Sequence, residues 1–152
     1  DSVAPTDSAE EVGRWQKRAL PLLAEVAASV TAPARVSIEN LDYPFSWCDP
    51  FLEAFPFSVC TDAGHLWEQG FDWRQHLACY RNRTRVVHLY GTAGGSRHVS
   101  LAQMPIPLVK GFLAKLGNFS GVITLETFSY DDTYTSMERL RKCLPSANPI
   151  RV

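Results

Sequence analysis

Apolar residues recur at helical spacing from residue 7 to about residue 30, through Val12, Trp15, Ala19, Leu22, Leu23, Val26 and Val30, and predict an amphipathic first helix. Asp7 or Ser8 can cap its start, with Glu10 or Glu11 three residues on completing a capping box. Pro21 is expected to kink it. The pattern then shortens: residues 34–40 (ARVSIEN), 57–61 (FSVCT), 85–90 (RVVHLY) and 121–126 (GVITLE) read as strands rich in β-branched residues. Helices are expected between and after them. Asp49-Pro50 opens a short one that runs through Phe55 until Pro56 stops it. Asp72 caps another to about Tyr80, residues 105–116 make a third closed by Gly117-Asn118, and about 133–144 make the last. Residues 91–95 read as a mobile glycine-rich loop and 145–152 as an irregular tail. The order αβαβαβαβα with near-continuously apolar strands predicts an α/β fold whose parallel sheet is buried on both faces.

A chain of 152 residues, 45% hydrophobic and 20% charged, is one domain with a core and not a disordered segment. Fifteen Lys and Arg against sixteen Asp and Glu, with no basic run, disfavour nucleic acid as a partner. No stretch approaches the roughly 18–20 apolar residues of a membrane span, so no membrane association is expected. The start, Asp1-Ser2-Val3-Ala4-Pro5, lacks the shape of a leader peptide and lacks Met, which points to processing or to sequence upstream. Cys48, Cys60, Cys79 and Cys143 form no C-x-x-C pair, which excludes zinc-ribbon and redox-motif readings. Reduced thiols and a cytoplasmic location are expected.

The ionisable residues are placed more tellingly than they are counted. Each predicted strand reaches a metal-competent residue at or just past its carboxyl end: Glu39, Asp62, His88 and Glu126. Asp62 and His65 form a D-x-x-H that fits one helical turn, and Arg97-His98 follow the glycine-rich loop. Singly, His88 reads as a core histidine and Asp62 as a helix cap. Jointly, they read as a site, because an unpaired carboxylate at the end of an apolar run costs several kcal/mol. Oxygen and nitrogen donors suit a divalent ion, Zn²⁺ or Mn²⁺ above all, with Fe²⁺ also fitting. Such a set serves either phosphoester hydrolysis, where ions clamp attacking and leaving oxygens, or sugar isomerisation. His76, in mid-helix, reads as structural or surface, and Tyr43 to Trp47 as either a substrate wall or a packed loop. GTAGGSRH matches no phosphate-binding motif.

In order, ENLDYPF, CTDAGHL, VVHLYG, SRHVSL and VITLETFS resemble the xylose isomerase-like (AP endonuclease family 2) barrel superfamily, over about residues 8–140. SIENLDYPF and HLYG look most like its cobamide-remodelling phosphodiesterases. The resemblance implies a TIM barrel with a divalent-metal site at its carboxyl rim. By similarity Glu39, Asp62, His65, His88, His98 and Glu126 would hold the metal, with Glu39, His88, Arg97 and Glu126 in the catalytic machinery and Arg97 neutralising phosphate. The implied activity is hydrolysis of the phosphoester in the nucleotide loop of a cobamide (corrinoid) substrate, giving cobinamide phosphate and an α-riboside. Ser96 stands where the DNA-repair branch has an aspartate, against apurinic-site cleavage and a full trinuclear site. The alternatives are a sugar or sugar-phosphate isomerase or epimerase, and a non-catalytic cobamide- or metal-binding module. Because a (β/α)₈ barrel takes about 200–250 residues, this chain is expected to be its C-terminal half, with four βα units. Association with another copy, as a homo-oligomer, or with a missing N-terminal half is expected to cover the open sheet.

Overall fold

The structure, a computed structural model of the chain, describes Ala4 and residues 6–144. The irregular tail expected over residues 145–152 lies outside the described residues. Helix α1 (Ala9–Ser29) begins with the expected capping box, Ser8 accepting from the Glu11 N–H while the Glu11 carboxylate accepts from Ser8. It runs through Pro21, which lies on its exposed side. Strand β1 (Ser37–Glu39) is shorter than expected because Pro33 starts a 3₁₀ turn over Pro33–Arg35. Helix α2 (Asp49–Ala54) takes Asp49 as its first helical residue and not as its cap, and that carboxylate accepts a hydrogen bond from the Tyr80 hydroxyl at 2.8 Å. Strand β2 (Ser58–Asp62) leads directly into a short helix, α3 (Ala63–Glu68), capped by Asp62. Helix α4 (Trp73–Tyr80), capped by Asp72, and strand β3 (Thr84–Leu89) follow as expected.

The glycine-rich segment is not the mobile loop its composition predicts. It is a hairpin of β4 (Gly91–Ala93) and β5 (Ser96–Val99), whose central Gly94 and Gly95 both have positive φ, 56° and 82°. Two successive positive φ values are what a type I′ hairpin turn needs, and glycine adopts them without steric cost. Helix α5 (Ile106–Leu116) ends at Gly117 with φ 62°, strand β6 (Val122–Leu125) follows, and α6 (Tyr130–Cys143) begins three residues earlier than expected, on a Ser129 cap.

Strands β1, β2, β3 and β6 form one parallel sheet in that order, each neighbour following the last along the chain. Among the described residues the sheet does not close into a barrel. Side chains alternate across it. Ile38, Val59, Thr61, Val87, Leu89, Ile123 and Leu125 share one face by register, and all but Thr61 enter the apolar clusters formed with the helices. Each fully buried Leu or Phe there, such as Leu77, Leu89 and Phe112, contributes about 1.5–3 kcal/mol.

The other face carries Ser37, Glu39, Cys60, Asp62, Val86, His88, Val122 and Thr124, none of them in either apolar cluster. Val122 is 61% exposed. The expectation of burial on both faces therefore fails: only β2 is buried along its whole length, because the helices pack on a single side.

Candidate metal centre

The strand ends on the uncovered face bring four of the expected residues together. His88 Nδ1 lies 2.7 Å from Glu39 Oε1, 3.0 Å from Glu126 Oε1 and 3.7 Å from Asp62 Oδ2. One imidazole N–H can donate to only one of these oxygens at good geometry. Donors about 3 to 3.5 Å apart are instead the spacing of ligands around one ion with bonds near 2.0–2.2 Å. Asp62, the Cys60 thiol and Glu39 push the His88 pKa up to about 12. Glu39 is the nearest of these groups to Nδ1, and Asp62 is the most deeply buried.

Asp62 is fixed from three sides. Its backbone N–H donates to Asn40 Oδ1 at 2.8 Å while Asn40 Nδ2 donates back to its carbonyl at 2.9 Å, so a buried amide extends the β1–β2 pairing by one step. Its Oδ1 accepts the His65 N–H at 2.9 Å, the cap of α3. Its Oδ2 is buried with no hydrogen-bond partner. A fully buried carboxylate oxygen left in that state costs several kcal/mol. With Glu39 and Glu126 beside it, the donor chemistry calls for a cation, and a divalent one offsets most of the local negative charge. The residues present fit a divalent metal, with Glu39, Asp62, His88 and Glu126 as the donors; Asp62, His88 and Glu126 form one compact trio and Glu39, Cys60 and His88 another.

His65 and His98 belong to neither trio. His65 Nδ1 donates to Asp42 Oδ1 at 2.7 Å, and His98 Nδ1 donates to the Glu126 carbonyl at 3.1 Å, with Glu126 Oε2 3.7 Å away. In both rings the Nδ1–H is engaged, so only Nε2 could serve as a ligand atom. His98 has φ 56°, uncommon for a residue with a Cβ, and its ring lies between Tyr90 and Phe128 at centroid distances of 4.1 and 4.7 Å. Arg97 is held by Glu68, at 2.6 Å from Nε, and by Asp42 at 3.3 Å, so both acids compete with any phosphate for it.

Five residues of this region were not singled out as site residues from the sequence. Asp42 and Glu68 clamp Arg97, and Asn40 sets Asp62. Cys60 reaches the cluster from β2, although the site was expected to be free of sulfur. Tyr90 is fully buried over Gly64, where any Cβ would overlap its ring, and its hydroxyl has no partner. Cys60 alone had a usable signal: it lies two residues before Asp62 on a strand and so shares its face.

The remaining expectations fall away from the cluster. His76 is buried and hydrogen-bonded to Thr61 Oγ1 at 3.2 Å, so it is structural. Tyr43 stacks on Trp47 and meets Trp15 edge-on, so the aromatic segment, which forms a 3₁₀ turn over Phe45–Cys48, packs against α1. A cavity of about 300 Å³ beside α4, lined by Phe45, Asp49, His76 and Tyr80 among others, contains none of the clustered residues. The described residues contain no helix long and apolar enough to cross a membrane, and all four cysteines are free thiols. Compared with family models, with curated proteins and with solved structures, the chain matches none of them.

Proposed function

We propose that this α/β chain carries the divalent-metal centre of a hydrolase that cleaves a phosphoester, with the nucleotide loop of a cobamide as its substrate. The observation that supports the metal centre is the convergence of Glu39, Asp62 and Glu126 on one nitrogen of His88, together with the orphaned Asp62 oxygen. The resemblance of the strand-end segments to the cobamide-remodelling branch of the xylose isomerase-like barrels is what favours this substrate over a sugar. On this reading the four parallel strands are one arc of a TIM barrel, completed by a second copy or by an N-terminal segment, and the free thiols accord with the cytoplasm.

A bound divalent ion supplies Lewis acidity, activating water and offsetting phosphate charge. The chain's own groups do the rest. Asn40 and the α3 backbone hold the Asp62 carboxylate in place, where it would serve as a fixed donor. Glu39 and Glu126 flank the same nitrogen, and either carboxylate can take a proton from attacking water. Arg97 reaches a substrate phosphate only by exchanging Asp42 or Glu68 for it.

Incubating the protein with cobalamin and added Zn²⁺ or Mn²⁺, followed by mass spectrometry, is expected to give cobinamide phosphate and an α-riboside. Glu126→Gln is expected to abolish the products. Full activity in that variant, or turnover of sugar phosphates in place of cobalamin, overturns the assignment, and tight cobalamin binding without products favours a binding module.

A further inference from the structure

Cys60 is buried, 4% exposed, yet it joins neither apolar cluster. The sheet register sets it beside Glu39 on β1 and Val86 on β3, on the same uncovered face as Asp62 and His88. Its sulfur, a Glu39 carboxylate oxygen and a His88 ring nitrogen all lie within 4.8 Å of one another. A second and independent sign of a ligand here is Asp62 Oδ2, wholly buried and without a hydrogen-bond partner, 3.7 Å from that histidine.

We propose that Cys60 is a thiolate ligand of the divalent-metal centre and makes the site prefer Zn²⁺ and related ions over Mn²⁺ and Mg²⁺. The inference rests on reading the cluster as a metal centre, and goes beyond it by adding a sulfur donor and a metal class. Zinc–sulfur bonds of about 2.3 Å and zinc–nitrogen bonds of about 2.0–2.1 Å put two donors of one tetrahedral ion about 3.5 Å apart. Donors that lie within 4.8 Å of one another reach that value with shifts of at most about 1.3 Å. On binding, the S–H bond breaks, the sulfur lone pair forms the bond to the metal, and the proton passes to solvent. Thiolate is a soft, polarisable donor, so it strengthens Zn²⁺, Co²⁺ or Cd²⁺ binding far more than that of hard ions, which prefer oxygen.

Loading the whole chain with Co²⁺ separates the two layers of this reading. Bound cobalt gives visible ligand-field bands, and a thiolate ligand adds a near-ultraviolet sulfur-to-cobalt charge-transfer band. The wild-type protein and Cys79→Ser, which removes the exposed thiol, are expected to show both. Cys60→Ser, with Cys60→Ala as a second variant and circular dichroism to confirm folding, is expected to keep the visible bands and lose the charge-transfer band. Its Zn²⁺ affinity is expected to fall at least about 10-fold, with Mn²⁺ affinity changed far less. Visible bands without a charge-transfer band in the wild type, or a charge-transfer band that survives Cys60→Ser, overturn the thiolate ligand and leave the metal centre standing. No bound cobalt in the wild type overturns both.

Discussion

His76 and His88 lie against opposite faces of the same parallel sheet, and their surroundings drive them in opposite directions. On the helix-covered face His76 sits among Phe45, Tyr80 and the Thr61 hydroxyl, and burial lowers its pKa to about 4. On the uncovered face Asp62, Cys60 and Glu39 raise that of His88 to about 12. The first imidazole is held in its neutral form and fills space; the second is a strongly basic ring among three carboxylates. Both are substantially buried, so burial alone does not mark a functional histidine. What marks it is charge gathered in excess of what the protein itself neutralises.

The largest expected effect breaks this comparison outright. His88→Ala should weaken Zn²⁺ binding by more than about 100-fold, beyond the usual 10–100-fold cost of losing an outer-shell partner. His76→Gln should leave metal binding unchanged. Calorimetric titration of both variants checks this, and equal losses would remove the distinction between the two faces.

Next in size is the dependence of stability on pH, which should carry opposite signs for the two residues. His76 titrates at about 4 when folded against an ordinary 6.5, so the unfolded chain binds its proton more tightly. Stability should be whole above about pH 6.5 and fall toward pH 4 by up to about 3 kcal/mol, with His76→Gln flattening that slope. His88 titrates at about 12 against 6.5, so the metal-free fold holds the proton more tightly than the unfolded chain. Its contribution should be full below about pH 6.5 and be lost as pH rises through 12. Denaturant unfolding across this range, with and without Zn²⁺, reads both, and Zn²⁺ should lift the alkaline limb because it replaces the proton.

The smallest effect sharpens the uncovered face. Asp42→Asn removes the charge that orients His65 Nδ1 and helps hold Arg97. His65 lies outside both donor trios, so metal affinity should fall by less than about 10-fold. Nitrogen-detected NMR should show His65 exchanging between tautomers, and rescue by Asp42→Glu would separate orientation from folding.

Much of the site's content could be read from the chain because strand ends and helix caps are local features. Glu39, Asp62, His88 and Glu126 each follow an apolar run, and parallel pairing then brings such ends to one edge. The glycine-rich segment folds as the β4–β5 hairpin and not as a loop, and Gly94-Gly95 between short extended segments is itself a hairpin signal. Partners of the site residues were harder to foresee. Asn40 meets Asp62 across 22 positions and Asp42 meets Arg97 across 55. Nothing local links them.

The order of elements, the helix caps and the identity of four clustered residues follow from the sequence itself, because periodicity, capping and turn chemistry act over a few neighbouring residues. Tertiary structure alone decided which sheet face stayed uncovered, which histidine was surrounded by acids, and that Asp42 meets His65 and Arg97. Those outcomes depend on every helix packing on one side of the sheet and on a register accurate to one residue, since a slip of one position turns each side chain to the opposite face.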